Sequence, residues 1–160
     1  METPANKVSS HVPSNHLALG RRGEELAAAY LQKQGFRIVA ANFSLPVGRN
    51  RLGVLINVEL DLVAYEAETL CFVEVKTRSS DWFAAPEVNV DRRKQRQIAR
   101  AARAYRRMFG LTKAPFRYDV VTLVLPAEDE RASPFEIQLL RNYWTEASIR
   151  KRVWSSAYWD

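Results

Sequence analysis

Apolar residues recur along this chain with two different periods. Between residues 16 and 34, Leu19, Leu26, Ala27, Tyr30 and Leu31 fall at helical spacing, and Gly35 offers a stop. The pattern predicts a helix over 16–34. Gly23 in its interior costs about 1 kcal/mol against Ala and asks for a reason, such as close approach of another backbone or side chain. The run FRIVAANF at 36–43 leans to β. Residues 44–57 carry Pro46, Gly48, Gly53 and Asn57 and read as a loop with short extended pieces. The next two segments, 58–65 and 70–77, alternate apolar and polar positions and read as strands joined by a hairpin loop at 66–69. Residues 78–89 read as a loop with Trp82, Phe83 and Pro86. Helical spacing returns over 90–109, where Ile98, Ala101, Ala102, Tyr105 and Met108 form the expected buried stripe and Gly110 the stop. Further strands are expected at 116–125 and 135–144, and a turn or so of helix after them. The polar stretch 1–14 reads as a disordered leader, 15–144 as one domain and 145–160 as a basic, aromatic tail.

Composition narrows the chemistry. The 160 residues are 47% apolar and 11% aromatic, enough for one folded domain with its own core. The formal charge of +6 favours a polyanionic partner. A single cysteine, Cys71, excludes an intrachain disulfide and a multi-thiolate zinc site. The two histidines, His11 and His16, lie in the polar N-terminal stretch, which argues against a His base, a His-bound metal or a Ser–His–Asp triad. Dinucleotide and P-loop signatures are absent. No run approaches the ~18 consecutive apolar residues of a membrane span, and the N-terminus lacks a secretory core, so a cytoplasmic protein without a membrane partner is expected. Chemistry falls to Asp, Glu, Lys and Arg.

If 66–69 closes the hairpin, Tyr65 meets Leu70 and Val63 meets Phe72. Asp61 then faces Glu74 and Glu59 faces Lys76, all on one side of the sheet. Directly opposed residues have Cβ atoms about 4.5–5.5 Å apart, and like charges so placed destabilise a sheet. A divalent cation removes the conflict: Asp61, Glu74 and a backbone carbonyl make a hard oxygen set suited to Mg²⁺ (or Mn²⁺). Lys76 emerges on the same face, where its ammonium can orient water and steady developing negative charge. The plainer alternative is a solvated strand face with Glu59 and Lys76 as an ordinary ion pair.

A wider set of residues carries a resemblance. Gly20-x-x-Gly23-Glu24, Ala27, Tyr30-Leu31, Gly35-Phe36, Asn42, Glu59-Leu60-Asp61-Leu62-Val63, Phe72-Val73-Glu74-Val75-Lys76-Thr77-Arg78, Lys94 and Arg117-Tyr118-Asp119-Val120-Val121 resemble the UPF0102 (YraN-like) bacterial family. That family is similar to restriction-endonuclease-like PD-(D/E)xK nucleases and to archaeal Holliday-junction resolvases. The resemblance implies an α/β fold, a mixed β-sheet flanked by helices with an αβββαβ core. It implies Asp61 and Glu74 as metal ligands, Lys76 as the catalytic lysine and Glu24 as a supporting acid. The chain departs from the pattern at Val58 and Ala85, where glycines are usual, and in a longer connection over 44–57. Glu24 shares a helix face with Ala27 and Leu31, whereas Glu25 lies about 100° away, so Glu24 is the inward acid.

The helix over 90–109 is strongly basic. Arg92, Arg93, Lys94, Arg96, Arg100, Arg103, Arg106 and Arg107 stand against Asp91 alone, and Arg93, Arg96, Arg100, Arg103 and Arg107 form one stripe. Such a stripe repels itself, and a phosphate backbone offsets that cost. Arg96, Arg100 and Arg103 are the expected phosphate contacts, Lys94 is placed to reach the acids, and Arg78 joins the nucleic-acid-binding set. Trp82 and Phe83 serve either stacking on bases or the core; Trp144, Trp154 and Trp159 either cover a sheet face or build a homodimer contact. The expected function is a Mg²⁺-dependent, structure-selective endonuclease acting on DNA; the alternative is a non-catalytic nucleic-acid-binding protein that keeps the fold.

Overall fold

A computed structural model describes residues 15–80, 89–127 and 134–150. The leader, the loop with Trp82, Phe83, Ala85 and Pro86, and the segment with Trp154 and Trp159 lie outside the described residues. The elements run α1 (Asn15–Lys33), β1 (Arg37–Arg49), β2 (Leu55–Glu66), β3 (Thr69–Ser79), α2 (Arg92–Met108), β4 (Phe116–Leu125), β5 (Glu136–Trp144) and α3 (Glu146–Ile149). The strands form one mixed sheet in the order β1-β2-β3-β4-β5. Among the described residues only β3 and β4 pair in parallel, and α2 lies in the connection between them.

The two faces of the sheet bury separate clusters. Ala27 and Leu31 of α1 pack with Leu62, Ala64, Cys71, Val73, Val121 and Leu123. Ile98, Ala99, Ala101, Ala102 and Tyr105 of α2 pack with Val63, Leu70, Phe72, Tyr118 and Val120. The alternation read from 58–65 and 70–77 thus serves a sheet covered on both sides. Asp91 caps α2 by accepting from the Lys94 N–H at 2.8 Å. Met108, expected in the buried stripe of α2, is exposed at the last residue of the helix, and Tyr105 ends the buried stripe. Trp144 stacks on Tyr118 at 4.9 Å between ring centroids and so covers a sheet face.

The expected loop at 44–57 is instead the far part of a long hairpin. β1 continues through Arg49 and β2 begins at Leu55. Pro46 is tolerated because β1 is an edge strand, and the register shifts between Pro46 and Gly48. Gly48 has φ 146°, open to glycine and strained for other residues. The β2–β3 loop is also tighter than 66–69: Glu66 pairs with Thr69 and Ala67 takes φ 51°.

Candidate functional site

The β2–β3 ladder runs in the expected register from Glu66↔Thr69 to Leu62↔Val73 and stops there. Beyond it β3 stays paired with β4 and β2 with β1 only, so the sheet forks. Asp61 stands at the crotch. Its Oδ2 accepts from the Val75 N–H at 2.9 Å, a side chain completing what the ladder leaves unpaired.

Sidedness also changes at this point. Val58 and Leu60 pack in the α2-side cluster, Leu62 in the α1-side cluster and Val63 in the α2-side cluster again. The alternation therefore slips between Leu60 and Leu62, opposite Asn42, which adopts φ 49° on β1. Asn is among the few residues that accept this conformation readily. The slip corrects the expected Glu59–Lys76 pairing. Glu59 turns toward α1, where oxygens of Glu24, Glu59 and Asp61 lie within 4.8 Å of one another. Asn42 Nδ2 donates to Glu24 at 2.6 Å and to Glu59 at 3.3 Å. Glu59 as a member of the acid set and Asn42 as its bridge were missed in the sequence. The available signal was an Asn in a β run beside two acids in an apolar strand.

Glu24 reaches this point because α1 lies hard against β3. A Cβ on Gly23 would sit 1.8 Å from Thr77 Oγ1, which accounts for glycine in the helix interior. Glu24 is half-buried while Glu25 is exposed. Burial, with the neighbouring Asp61 and Glu59 charges, raises the Glu24 pKa against the lowering effect of Asn42. Asp61 is pushed up to about 7, first by burial and then by the Glu74 charge.

Glu74 is buried at 5% exposure on the other side of Asp61. Its Oε1 lies 3.6 Å from Lys76 Nζ and 3.7 Å from Lys94 Nζ. The structure thus gathers Glu24, Asp61, Glu74, Lys76 and Lys94 as one constellation, and adds Glu59 and Asn42. A cleft of about 750 Å³, lined by His16, Arg21, Glu24, Asn42, Glu59 and Leu62 among others, opens on the α1 side.

The other basic residues divide. Arg92, Arg93 and Arg107 are exposed and Arg96 is half-buried. Arg100 donates to the Val47 carbonyl at 2.9 Å, tying α2 to the β1–β2 hairpin. Arg103 approaches Glu146 at 4.0 Å. Arg106 is packed: its guanidinium lies 3.8 Å from the Phe116 ring centroid and donates to the Thr112 carbonyl at 2.7 Å. Arg78 is half-buried at the end of β3. Among the described residues no helix is long and apolar enough to cross a membrane.

The Glu24, Glu59 and Asp61 carboxylates offer hard oxygen donors close together, a set suited to a hard divalent cation such as Mg²⁺ or Mn²⁺. Burial first, and then the Glu74 charge, disfavour the charged form of Asp61.

Comparison with known proteins follows the same residues. The model of the uncharacterised protein family UPF0102 matches residues 23–123. A UPF0102 protein of Koribacter versatilis is 40% identical over 127 residues, covering 79% of this chain and 79% of its own. Relatives from Chlorobium chlorochromatii and Porphyromonas gingivalis are 39% and 38% identical, covering 84% and 81% of this chain and 97% and 92% of theirs.

Proposed function

The chain belongs to the UPF0102 family, and from that premise we propose that it is an endonuclease that hydrolyses DNA phosphodiesters with Mg²⁺ or Mn²⁺ and chooses its substrate by structure. The observation that carries this reading is Asp61, half-buried at the fork with the Glu24 and Glu59 carboxylates on one side and Glu74 with two lysines on the other. Asp61 and Glu74 would hold the metal, with Glu24 and Glu59 beside them. A bound divalent ion supplies Lewis-acid polarisation of the phosphate and a more acidic water. Asn42 holds Glu24 and Glu59 in place. Lys76 and Lys94 fix the Glu74 Oε1 and set positive charge where a phosphate gains negative charge. The arginines of α2 supply sequence-independent backbone attraction.

The test is cleavage of a panel of branched, single-stranded and duplex DNAs with Mg²⁺ or Mn²⁺. Lys76→Ala is expected to keep most metal and DNA affinity and lose cleavage, because its contribution is made mainly in the transition state. Lys76→Arg is expected to rescue poorly. Asp61→Ala is expected to lose divalent-ion binding by calorimetry as well. A wild-type protein that binds DNA, cuts nothing and matches Lys76→Ala would replace the nuclease by a binding module.

A further inference from the structure

The far end of the β1–β2 hairpin is built to stay out of the core. Leu52 is 88% exposed, Val54 57% and Leu55 50%. The turn that presents them is tightly tied. Asn50 Oδ1 accepts from the Leu52 and Val54 N–H groups at 2.9 and 3.0 Å, and Arg49 donates to the Gly53 carbonyl at 2.6 Å. Gly53, at φ 78°, closes it. The apolar tip is flanked by Arg49 and Arg51, both exposed. The hairpin is fastened to the arginine helix where Arg100 reaches the Val47 carbonyl, and Gly48 makes room: a Cβ there would meet Arg100 Nη2 at 3.0 Å. From Leu60 back to Leu55 the arm extends past the acid site by five residues, roughly 17 Å at about 3.3 Å per residue.

We propose that this hairpin is a second DNA contact, with its arginines on backbone phosphates and Leu52 against base surface exposed at a branch point or duplex end. The inference rests on the nuclease reading for its polyanionic partner and deepens it by naming what the protein selects. Three features favour DNA over a second copy of the chain. The apolar patch is small, its flanks are basic, and it continues the arginine stripe of α2 through Arg100. Proteins that kink a duplex combine basic contacts with an inserted apolar side chain, leucine among them, and this turn presents both. The arm places that wedge about five base pairs from the carboxylates at about 3.4 Å per pair. A branch at that spacing is recognised by shape, without base-specific hydrogen bonds.

The experiment uses the full chain in EDTA, a forked duplex with 2-aminopurine at the branch, and the matching plain duplex. Wild type is expected to raise the 2-aminopurine fluorescence on binding and to prefer the fork. Leu52→Ser is expected to abolish the rise and to lower fork affinity about tenfold, toward the value for plain duplex. Arg51→Ala is expected to reduce the salt slope by about 0.9 on both DNAs. Val54→Ser serves as a second variant, and circular dichroism checks that each folds. Leu52→Ser and Val54→Ser proteins that bind and unstack the fork like wild type overturn the inference and leave the nuclease reading intact. Loss of self-association in the variants, seen by sedimentation with DNA binding unchanged, also overturns it. Hairpin-dependent binding without any cleavage in Mg²⁺ supports it while removing the nuclease reading.

Discussion

Gly23 lacks a side chain because Thr77 fills the space one would need. Gly23→Ala is expected to destabilise by about 1–3 kcal/mol in urea unfolding, the usual cost of overpacking. Thr77→Ala should restore part of that, since it removes the nearest atom and leaves the Thr77 Cβ at 2.8 Å. Gly23→Ala should also weaken Mg²⁺ binding, because α1 can relieve the clash only by carrying Glu24 away. Asp61 makes the opposite demand: it is where it is at a cost. Burial and Glu74 raise it to about 7, above an unfolded value of about 3.9. The native state then holds a proton that the unfolded chain has lost, so this group's contribution is full below about pH 3.9 and disappears as pH rises through about 7. Glu24 is raised too, chiefly by burial, and adds in the same direction. In EDTA the urea midpoint is expected to fall between about pH 4 and 7 and level off above that, to flatten in Asp61→Asn, and to recover with saturating Mg²⁺. The nearness of Asp61 to Glu74 was legible from alternation alone. The place of Glu59 was not, since alternation carried through Asp61 assigns it the wrong side, and the slip at Asn42 has no periodic signal.

Among the elements, α2 shows how one stripe of like residues divides its labour. Arg106 lies over Phe116 and bonds Thr112, so Arg106→Ala is expected to cost about 1–2 kcal/mol of stability and change the salt slope of DNA binding little. Arg96 shows no such anchoring, so Arg96→Ala should leave stability within about 0.5 kcal/mol and lower the slope by about 0.9. Sequence identifies the stripe because charge and helical spacing are local. It does not separate anchor from free cation, because Phe116 and Thr112 belong to later parts of the chain. The hairpin was hidden for a related reason. Pro46, Gly48 and Gly53 signal breaks, and an edge strand accepts the first two at a register shift and the third in its turn. The β3 and β4 runs were legible because both lie inside the sheet, covered on both faces, where apolar residues follow one another almost without a break.

Across the whole molecule, a second charged cluster steadies the sheet toward the β2–β3 turn. Asp119, fully buried, accepts from Arg117 Nε at 2.9 and 3.0 Å and from the Asn142 N–H at 2.8 Å. Arg117 and Arg141 both bond Glu66, whose pKa falls to about 2, first through Arg141 and then through Arg117. Its contribution is therefore present above about pH 4.3 and lost as pH falls toward 2. Asp119→Ala leaves Arg117 half-paired and is expected to cost about 3–5 kcal/mol in thermal or urea unfolding.

The parallel pairing of β3 with β4 sets an order of assembly. β1, β2 and β3 meet through short turns, whereas Leu70 reaches Phe116 only after α2 has crossed over. Closing that longer loop comes at an entropic disadvantage, so the three-stranded meander is expected to lead the folding transition state. Val63→Ala should slow refolding, and Leu140→Ala should chiefly speed unfolding. Glu24, Glu59, Asp61 and Glu74 all come from α1, β2 and β3, so on the ribosome the acid cluster can gather before the arginine helix beside it has emerged.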